Sequence, residues 1–205
     1  PMKGILQTSN FARAILNRET GLIPASGRRL VSQCGIFEYE GRFIMITDAA
    51  ININPDVETQ IGIVENALPV AKALGNDCPK VAVLSAVENV TEKMASTVTA
   101  AEIAKRGVPG CIISGPLALD GAISMESVKH KAIHDPVAGR ADILLVPFIE
   151  IGNVLYKACT YIAGKTMAST ICGAPCPVVI TSRADTPDSK YYSILMAVLR
   201  CIKGC

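Results

Sequence analysis

The sequence predicts an α/β fold with a largely parallel sheet covered by helices, and two observations lead to this prediction. Short apolar runs bounded by turn residues, typical of buried strands, alternate with longer segments whose apolar residues recur at helical spacing. Polar loops recur where the predicted strands end. Because ligands in open α/β sheets bind outside the carboxyl ends of the strands, these loops are the first candidates for a functional site.

The first part of the chain is predicted to contain two helices and two strands. In chain order, these elements are a helix over 8–18, strands over 34–39 and 42–47, and a helix from 57 to about 75. Thr8 or Ser9 would cap the first helix, and a tight turn at Glu40 and Gly41 joins the two strands. Pro69 predicts a kink in the second helix.

From residue 81 onward, predicted strands and helices alternate. The strands cover 81–84, 111–114, 143–147 and 177–181, and the helices cover about 95–106, a segment beginning at Ser124, 154–170 and 190–199. Gly107 would end the helix that precedes it. The polar loops between these elements include GPLALDGA and FIEIGN. Repeated strand-loop-helix units imply that most strands run parallel.

Composition limits the classes of protein to consider. The 205 residues are half apolar and suffice for one large domain or two small ones. A net charge of +2 gives no basis for attraction to nucleic acid or to a membrane surface. No apolar run approaches a membrane span, and the opening PMKGILQTSN lacks a signal core. The eight cysteines lie mostly in apolar runs, which predicts buried reduced thiols and a cytoplasmic location.

The segment PCPVVITSRADTPDSK carries the candidate site. Its predicted strand stops at a polar turn that offers Ser182, Arg183, Asp185 and Asp188 within seven residues. The arginine fork matches phosphate, and a neighbouring hydroxyl is suited to donate to a developing oxyanion. This combination favours an anionic substrate that undergoes group transfer. The alternative interpretation is an ordinary strand-to-helix loop in which Thr186, Asp188 or Ser189 caps the helix.

Other patterns give weaker signals. His130 and His134 lie four residues apart but have no third ligand at a persuasive spacing, so a solvated basic helix end is favoured over a metal site. Cys172 and Cys176 are interpreted as thiols of the core or its margin. The sequence contains no Walker loop, Rossmann fingerprint or GxSxG elbow.

Several segments together resemble the phosphate acetyltransferase/phosphate butyryltransferase family. They are KGILQTSNFARAIL, TDAAININPD, VAVLSAVE, GPLALDGAISMESVKHK, GRADILLVPFIEIGNVLYK and PVVITSRADTPDSKYYSI. They occur in the family's order and cover nearly the whole chain. The motifs SRADxxxSK and GPLALD look closer to the butyryl branch than to the acetyl branch.

The resemblance implies transfer of a short-chain acyl group, butyryl or similar, between CoA and inorganic phosphate. It also implies the two-domain isocitrate/isopropylmalate dehydrogenase-like α/β fold with the active site between the domains. Residues 1–33 plus 166–205 would form the first domain, which is expected to be incomplete because family members have further residues before KGILQ. Residues 34–165 would form the second domain, which carries the contact of a homodimer.

The family's functional residues carry over one by one. Its Ser-Arg pair falls on Ser182 and Arg183, its phosphoryl-binding helix arginine on Arg13, and the hydroxyl five residues earlier on Thr8. A cysteine of the acetyl enzymes falls on Ala49, so the resemblance implies no catalytic cysteine.

The general base is left open by the resemblance. The family's catalytic aspartate lies seven residues after the serine, where this chain has Ser189, with Asp188 one step earlier. Asp188 is taken as the catalytic carboxylate, with Asp185 as the alternative base. Asp185 and Ser189 are both expected to contact substrate.

The resemblance implies no metal and no bound cofactor, with CoA entering as a substrate. Two alternatives remain at this point. Besides an active acyltransferase, the chain is interpreted either as a truncated relative that binds CoA or a partner without turnover, or as a metal-dependent dehydrogenase of related fold. The dehydrogenase needs a cluster of aspartates, and the loops offer no convincing D-x-x-x-D set.

Overall fold

A computed structural model describes residues 1–17, 19–23 and 30–204, and for Thr8 it describes the backbone only. The strands are β1 (Ser32–Tyr39), β2 (Arg42–Thr47), β3 (Lys80–Leu84), β4 (Ile112–Leu117), β5 (Ile143–Leu145) and β6 (Ala168–Cys172). The helices are α1 (Thr8–Ile15), α2 (Val57–Ala73), α3 (Ala95–Arg106), α4 (Leu119–Ile123), α5 (Met125–Lys131), α6 (Ile149–Lys157) and α7 (Pro187–Lys203). A π-helical turn over Ala158–Ile162 extends α6.

The six strands form one sheet in the order β4–β3–β5–β2–β1–β6. β4, β3, β5 and β2 are mutually parallel, whereas β1 runs antiparallel to both β2 and β6. The prediction of a mixed α/β fold with a largely parallel sheet is therefore confirmed. β6 lies in the predicted first domain and β1 mostly in the second, so the sheet continues across the predicted boundary; the division into domains stays a prediction.

Side-chain alternation along the strands gives the sheet two apolar faces. On β3, Val81 and Val83 contribute to one core, and Ala82 and Leu84 contribute to the other. α2, α3 and α7 cover the first face, and α4, α5 and α6 cover the second. Because apolar side chains of the central strands point to both sides of the sheet, helices cover both faces.

Several predicted elements are confirmed. The helix at 95–106 and the strand at 42–47 have the predicted bounds, and Gly107 has a φ of 69° at the helix end. Ser124 caps α5 by accepting a hydrogen bond from the Ser127 backbone N–H. β1 and β2 are joined at Glu40 and Gly41, which both have positive φ.

Two boundary predictions are wrong near the end of the chain. The loop predicted at 148–153 contains the start of α6, and the helix predicted at 154–170 ends by 162. The residues after Gly164, which has a φ of 62°, lead into β6. The apolar residues of this segment suit both periods, and pairing with β1 decides in favour of the strand.

The segment predicted as a strand at 177–181 is buried and extended but is not a regular strand. It makes two isolated bridges, an antiparallel one between Val178 and Ile171 and a parallel one between Val179 and Met2. The helix after it begins earlier than predicted, at Pro187, and Thr186 is its N-cap. Thr186 was one of the three predicted cap residues. The first helix ends at Ile15 rather than at 18, and its N-cap is Gln7.

The outer edge of β6 is covered by other parts of the chain. The backbone N–H groups of Met167 and Ser169 donate to the hydroxyls of Ser189 and Ser193 on α7, at 3.2 and 2.9 Å. The next outward N–H, that of Ile171, donates to the Val178 carbonyl at 2.8 Å. An open sheet edge exposes unpaired backbone groups, so these contacts fix α7 against the sheet.

The thiols are less buried than predicted. Of the described cysteines, Cys34 and Cys172 are buried, whereas Cys78 and Cys201 are exposed. All of the described cysteines are free thiols. None of the helices in the described ranges combines the length and hydrophobicity that a membrane-spanning segment needs.

Candidate functional site

The turn over residues 182–185 is closed by two hydrogen bonds between its end residues. The Ser182 backbone N–H donates to the Asp185 carboxylate at 2.7 Å, and the Asp185 backbone N–H donates to the Ser182 carbonyl at 3.2 Å. The Ser182 hydroxyl oxygen also accepts a hydrogen bond from the Ala184 backbone N–H at 3.4 Å. This arrangement buries Asp185 while leaving Ser182 and Arg183 exposed to solvent.

The carboxylate of Asp185 is held in an unfavourable setting for its charge. Burial raises its pKa, whereas the hydrogen bond from Ser182 and the positive charges of Lys190 and Lys3 lower it. Burial has the largest effect, so the pKa of Asp185 lies above its ordinary value. Burial raises the pKa of the Tyr156 phenol on α6, and the negative charge of Asp185 raises it further.

The start of α7 follows the turn directly. Thr186 accepts a hydrogen bond from the Ser189 backbone N–H at 3.2 Å, and Pro187 occupies the first turn. Asp188 is exposed in that first turn, where a negative charge is favourable. Ser189 is only 2% exposed, and its hydroxyl is engaged by Met167 and Thr186.

A small apolar cluster lies beneath the site. It joins Ile15 of α1 to Val178 and Ile180 of the segment that leads to Ser182. Ile51, from the polar loop after β2, packs against the same cluster. These contacts bring α1, the loop after β2 and the Ser182 turn into one region of the molecule.

The loop after β2 is organised by one buried carboxylate. Asp48 is 2% exposed and accepts hydrogen bonds from the backbone N–H groups of Ala50, Ile51 and Asn52 and from the Asn52 side chain. Burial raises the pKa of Asp48, although these hydrogen bonds lower it. Because both carboxylate oxygens are already engaged, Asp48 shapes the loop.

The first three residues run beside the segment that leads to Ser182. The Lys3 backbone N–H donates to the Val179 carbonyl at 2.9 Å, and the Val179 N–H donates to the Pro1 carbonyl at 2.9 Å. The Lys3 side chain is buried, with 4% of the residue exposed. Sequence reasoning missed Lys3, since a single lysine before a glycine gives no signal of burial.

The predicted site residues are therefore brought together only in part. Ser182, Arg183, Asp185 and Asp188 share one turn and the helix start after it. Arg13 is exposed on α1 and borders a shallow cavity with Asn10, Ala14, Asn17 and Thr20. Among the described contacts, apolar side chains join α1 to this region and none joins Arg13 to the turn. The side chain of Thr8 lies outside the described residues.

A larger cavity of about 770 Å³ lies elsewhere, and none of the predicted site residues whose side chains the structure describes lines it. Its walls are mainly apolar side chains of α7 and β1, among them Leu195, Val198 and Phe37. The Ser182 turn is instead an open surface site.

The two histidines do not share a helix face. α5 ends at Lys131, so His130 lies in its last turn and His134 lies beyond it, and both are exposed. Over the ranges that the structure describes, no group of three or more His, Cys, Asp or Glu side chains is placed to hold a metal ion.

Comparison with known proteins defines the class. A family described as "Phosphate acetyl/butaryl transferase" matches residues 2–198. A probable phosphate butyryltransferase from Bacillus subtilis (strain 168) is 48% identical over 201 residues, covering 96% of this chain and 67% of the relative. The chain thus spans about two thirds of that relative's length.

Solved structures agree with this class. A branched-chain phosphotransacylase from Enterococcus faecalis V583 has a TM-score of 0.89 and 40% identity, covering 97% of this chain and 72% of that one. The chain belongs to the phosphate acetyl/butyryl transferase family. A structure assigned as a 4-hydroxythreonine-4-phosphate dehydrogenase from Salmonella typhimurium has a TM-score of 0.50 and 14% identity, covering 82% of this chain and 54% of that one. This likeness concerns the fold alone, and the predicted dehydrogenase-like fold class is confirmed.

Proposed function

We propose that this chain transfers a short-chain acyl group, butyryl or similar, between CoA and inorganic phosphate. The single observation that carries the proposal is the Ser182–Asp185 turn in a chain of this family. The turn buries its carboxylate and presents a hydroxyl and a guanidinium side by side to solvent. Family membership favours acyl transfer over the dehydrogenase alternative.

The reaction begins with the thiol of CoA. A thiol with a pKa of about 8.5 is mostly protonated at neutral pH, so a carboxylate that accepts its proton increases the thiolate population. Asp188 is the proposed base because it is exposed in the first turn of α7, directly after the Ser182 turn, whereas the Asp185 carboxylate already accepts the Ser182 N–H. Asp185 therefore positions the turn and remains the alternative base.

The thiolate then attacks the carbonyl carbon of the acyl phosphate. The new C–S bond forms a tetrahedral oxyanion, and its collapse breaks the C–O bond to phosphate, which leaves with the electron pair. The Ser182 hydroxyl donates to the oxyanion, and one such donor contributes about 10²–10³ in rate. Arg183 binds the departing phosphate through its planar fork.

Arg13 and Thr8 are proposed as further phosphate contacts from α1. α1 packs on the segment before Ser182, which supports this role. Ser189 stays a predicted substrate contact, and its hydroxyl is engaged by the edge of β6. The proposed mechanism uses no metal and no bound cofactor, and CoA is a substrate.

We infer a cytoplasmic homodimer that forms through residues 34–165. Apolar side chains exposed on α6 and its π-helical extension support such a contact: Val154, Tyr161 and Ile162 are 67%, 64% and 86% exposed. The substitution Val154→Lys should shift the molecular mass in solution towards that of the monomer. The described free thiols suit a reducing compartment.

The test is thiol consumption by the 205-residue protein with CoA and acetyl, propionyl or butyryl phosphate. We expect turnover that is fastest with butyryl or a similar acyl group and that falls by about 10²–10³ in Ser182→Ala. Ser127→Ala, on α5, is the matched control and should retain activity. Unchanged turnover in Ser182→Ala or Arg183→Ala would contradict these roles. CoA binding without turnover would favour a binding module.

A further inference from the structure

Lys3 is buried beside the segment that leads to Ser182, and its ammonium makes no ion pair with any described carboxylate. Lys3 is 4% exposed, and lysines are almost never so buried unless they are paired. Among the described residues, its ammonium has one hydrogen-bond acceptor, the Leu6 carbonyl at 3.4 Å, which is long for this type of bond. Within residues 1–17, 19–23 and 30–204, no carboxylate oxygen lies within 4.0 Å of it. An ammonium has three donors, so most of its capacity is unused.

The backbone places this lysine close to the reacting groups. Met2 and Val179 form a parallel bridge, so the two segments run in the same direction. Lys3 is therefore beside the residues that lead directly into Ser182. Gly4 follows, and none of the described residues has an atom within 4 Å of where a side chain on Gly4 would begin, so the described part of the chain leaves space just beyond the lysine.

The charges around Lys3 do not satisfy it. Asp185 feels the charge of Lys3 but already accepts the Ser182 N–H at 2.7 Å. The charge of Lys190, from α7, also lowers the pKa of Asp185, and the charge of Asp185 raises the pKa of Tyr156 on α6. Two lysine charges thus act on one buried carboxylate, and Arg183 is exposed in the same turn.

We propose that Lys3 is a further binding residue for the phosphoryl group, whose oxygens its ammonium contacts from beneath the Ser182 turn while Arg183 contacts them from the open side. This role rests on the proposed function, because it concerns the same phosphate. A bound anion supplies a counter-charge to the buried ammonium, so binding uses a group that the described residues leave largely unsatisfied.

The test measures the thermal midpoint of the 205-residue protein with increasing inorganic phosphate and, separately, with increasing CoA. Lys3→Met is the test variant. Lys190→Met is the matched control, because it removes the other lysine charge that acts on Asp185. We expect phosphate to raise the midpoint of the wild-type and Lys190→Met proteins. In Lys3→Met, the apparent Kd for phosphate should rise about tenfold or more, as when one charge-assisted hydrogen bond is lost.

The CoA titration tells whether Lys3 contacts inorganic or acyl phosphate, or instead a phosphate group of CoA. The response to CoA should be retained in Lys3→Met if the lysine binds inorganic or acyl phosphate. The inference is overturned if Lys3→Met responds to phosphate like the wild type, if it loses the response to CoA, or if the wild type shows no phosphate response. Without ligand, the midpoint of Lys3→Met should equal or exceed that of the wild type, because removing an unpaired buried charge relieves desolvation; a lower midpoint with an intact phosphate response shows a structural role and overturns it.

Kinetics separate this inference from the proposed function. Lys3→Met should raise the KM for acyl phosphate about tenfold or more and leave the KM for CoA unchanged. Wild-type turnover with an unchanged KM in Lys3→Met overturns the role of Lys3 alone. Absence of wild-type turnover alongside a phosphate response removes the proposed function and leaves the lysine supported by the titration. If circular dichroism shows that Lys3→Met does not fold, Lys3→Gln replaces it. A weaker phosphate response and a raised KM for acyl phosphate would again support the inference, and wild-type values would overturn it.

Discussion

Ser182 and Asp185 hydrogen-bond to each other in both directions, since each backbone N–H donates to an oxygen of the other residue. One of the two acceptors is the buried Asp185 carboxylate, whose burial raises its pKa. The shape of the turn that presents Ser182 and Arg183 thus depends on a side chain whose charge is costly where it lies. This coupling between turn geometry and ionisation makes the site open to direct tests.

Substitutions of Asp185 and Asp188 should have different effects on stability and kcat, because Asp185 positions the turn and Asp188 is the proposed base. Asp185→Ala leaves the Ser182 N–H without its acceptor, which costs about 1–3 kcal/mol in the free energy of unfolding, and kcat should fall as well. Asp188→Asn changes an exposed side chain at a helix start, so stability should change by at most about 1 kcal/mol. Because Asp188 is the proposed base, Asp188→Asn should lower kcat by a factor of about 10²–10⁴. Urea unfolding and initial rates measure both.

A loss of kcat at Asp185 instead of Asp188 would assign proton transfer to Asp185. If Asp188→Asn keeps full kcat while Asp185→Asn, which retains an acceptor for Ser182, loses it, then Asp185 is the base. Circular dichroism of each variant controls for loss of the fold.

Stability should depend on the pH through Asp185 in a predictable direction. Burial raises the pKa of this carboxyl in the folded protein, so between about pH 3.9, where an unfolded aspartate titrates, and the raised value the folded state binds more protons. Its contribution to stability is therefore complete at acid pH and is lost as the pH rises through the folded pKa. The difference in thermal midpoint, wild type minus Asp185→Asn, should decline over that range and then stay constant.

The contributions of other titrating groups cancel in this difference between wild type and Asp185→Asn. Asp48, for example, has a pKa that burial also raises, but it is present in both proteins. A difference that grows as the pH rises would mean that the positive charges of Lys3 and Lys190 outweigh burial in setting the ionisation of Asp185.

Gly152 should not tolerate a methyl group. Alanine within a helix is normally more stable than glycine by about 0.5–1 kcal/mol. A Cβ at 152 would lie 2.4 Å from the Asp48 carbonyl oxygen and 2.9 Å from the Ala49 Cα, both in backbone that cannot move independently. Gly152→Ala should therefore reduce the free energy of unfolding by about 1–3 kcal/mol, measured by urea unfolding.

Gly121→Ala is the control for this prediction. It is also a buried helical glycine, but its nearest contact at 2.9 Å is the end of the flexible Glu88 side chain. Its cost should be clearly smaller. If Gly152→Ala lowers the free energy of unfolding as little as Gly121→Ala does, α6 shifts readily against the loop after β2.

Local patterns predicted much of this fold because they have local causes. α3 ends at Gly107, which adopts positive φ, and Ser124 satisfies a backbone N–H at the start of α5. The Ser182 turn was also recognisable, because a buried apolar run that stops at a polar group and a helix start has few other structural interpretations. Ser182 and Arg183 are adjacent in the chain, so their proximity needs no tertiary contact.

The sequence by itself therefore determined the alternation of strands and helices and the residues of the Ser182 turn. The tertiary structure decided the features that depend on distant partners. β6 is a strand because it pairs with β1 through antiparallel backbone hydrogen bonds. Ser189 and Ser193 are buried because their hydroxyls accept hydrogen bonds along the outer edge of β6. Lys3 lies under the turn because its backbone pairs with Val179, more than 170 positions away in the sequence. Hydrogen bonding and burial between segments so far apart leave no periodic trace along the chain, and only the folded arrangement reveals them.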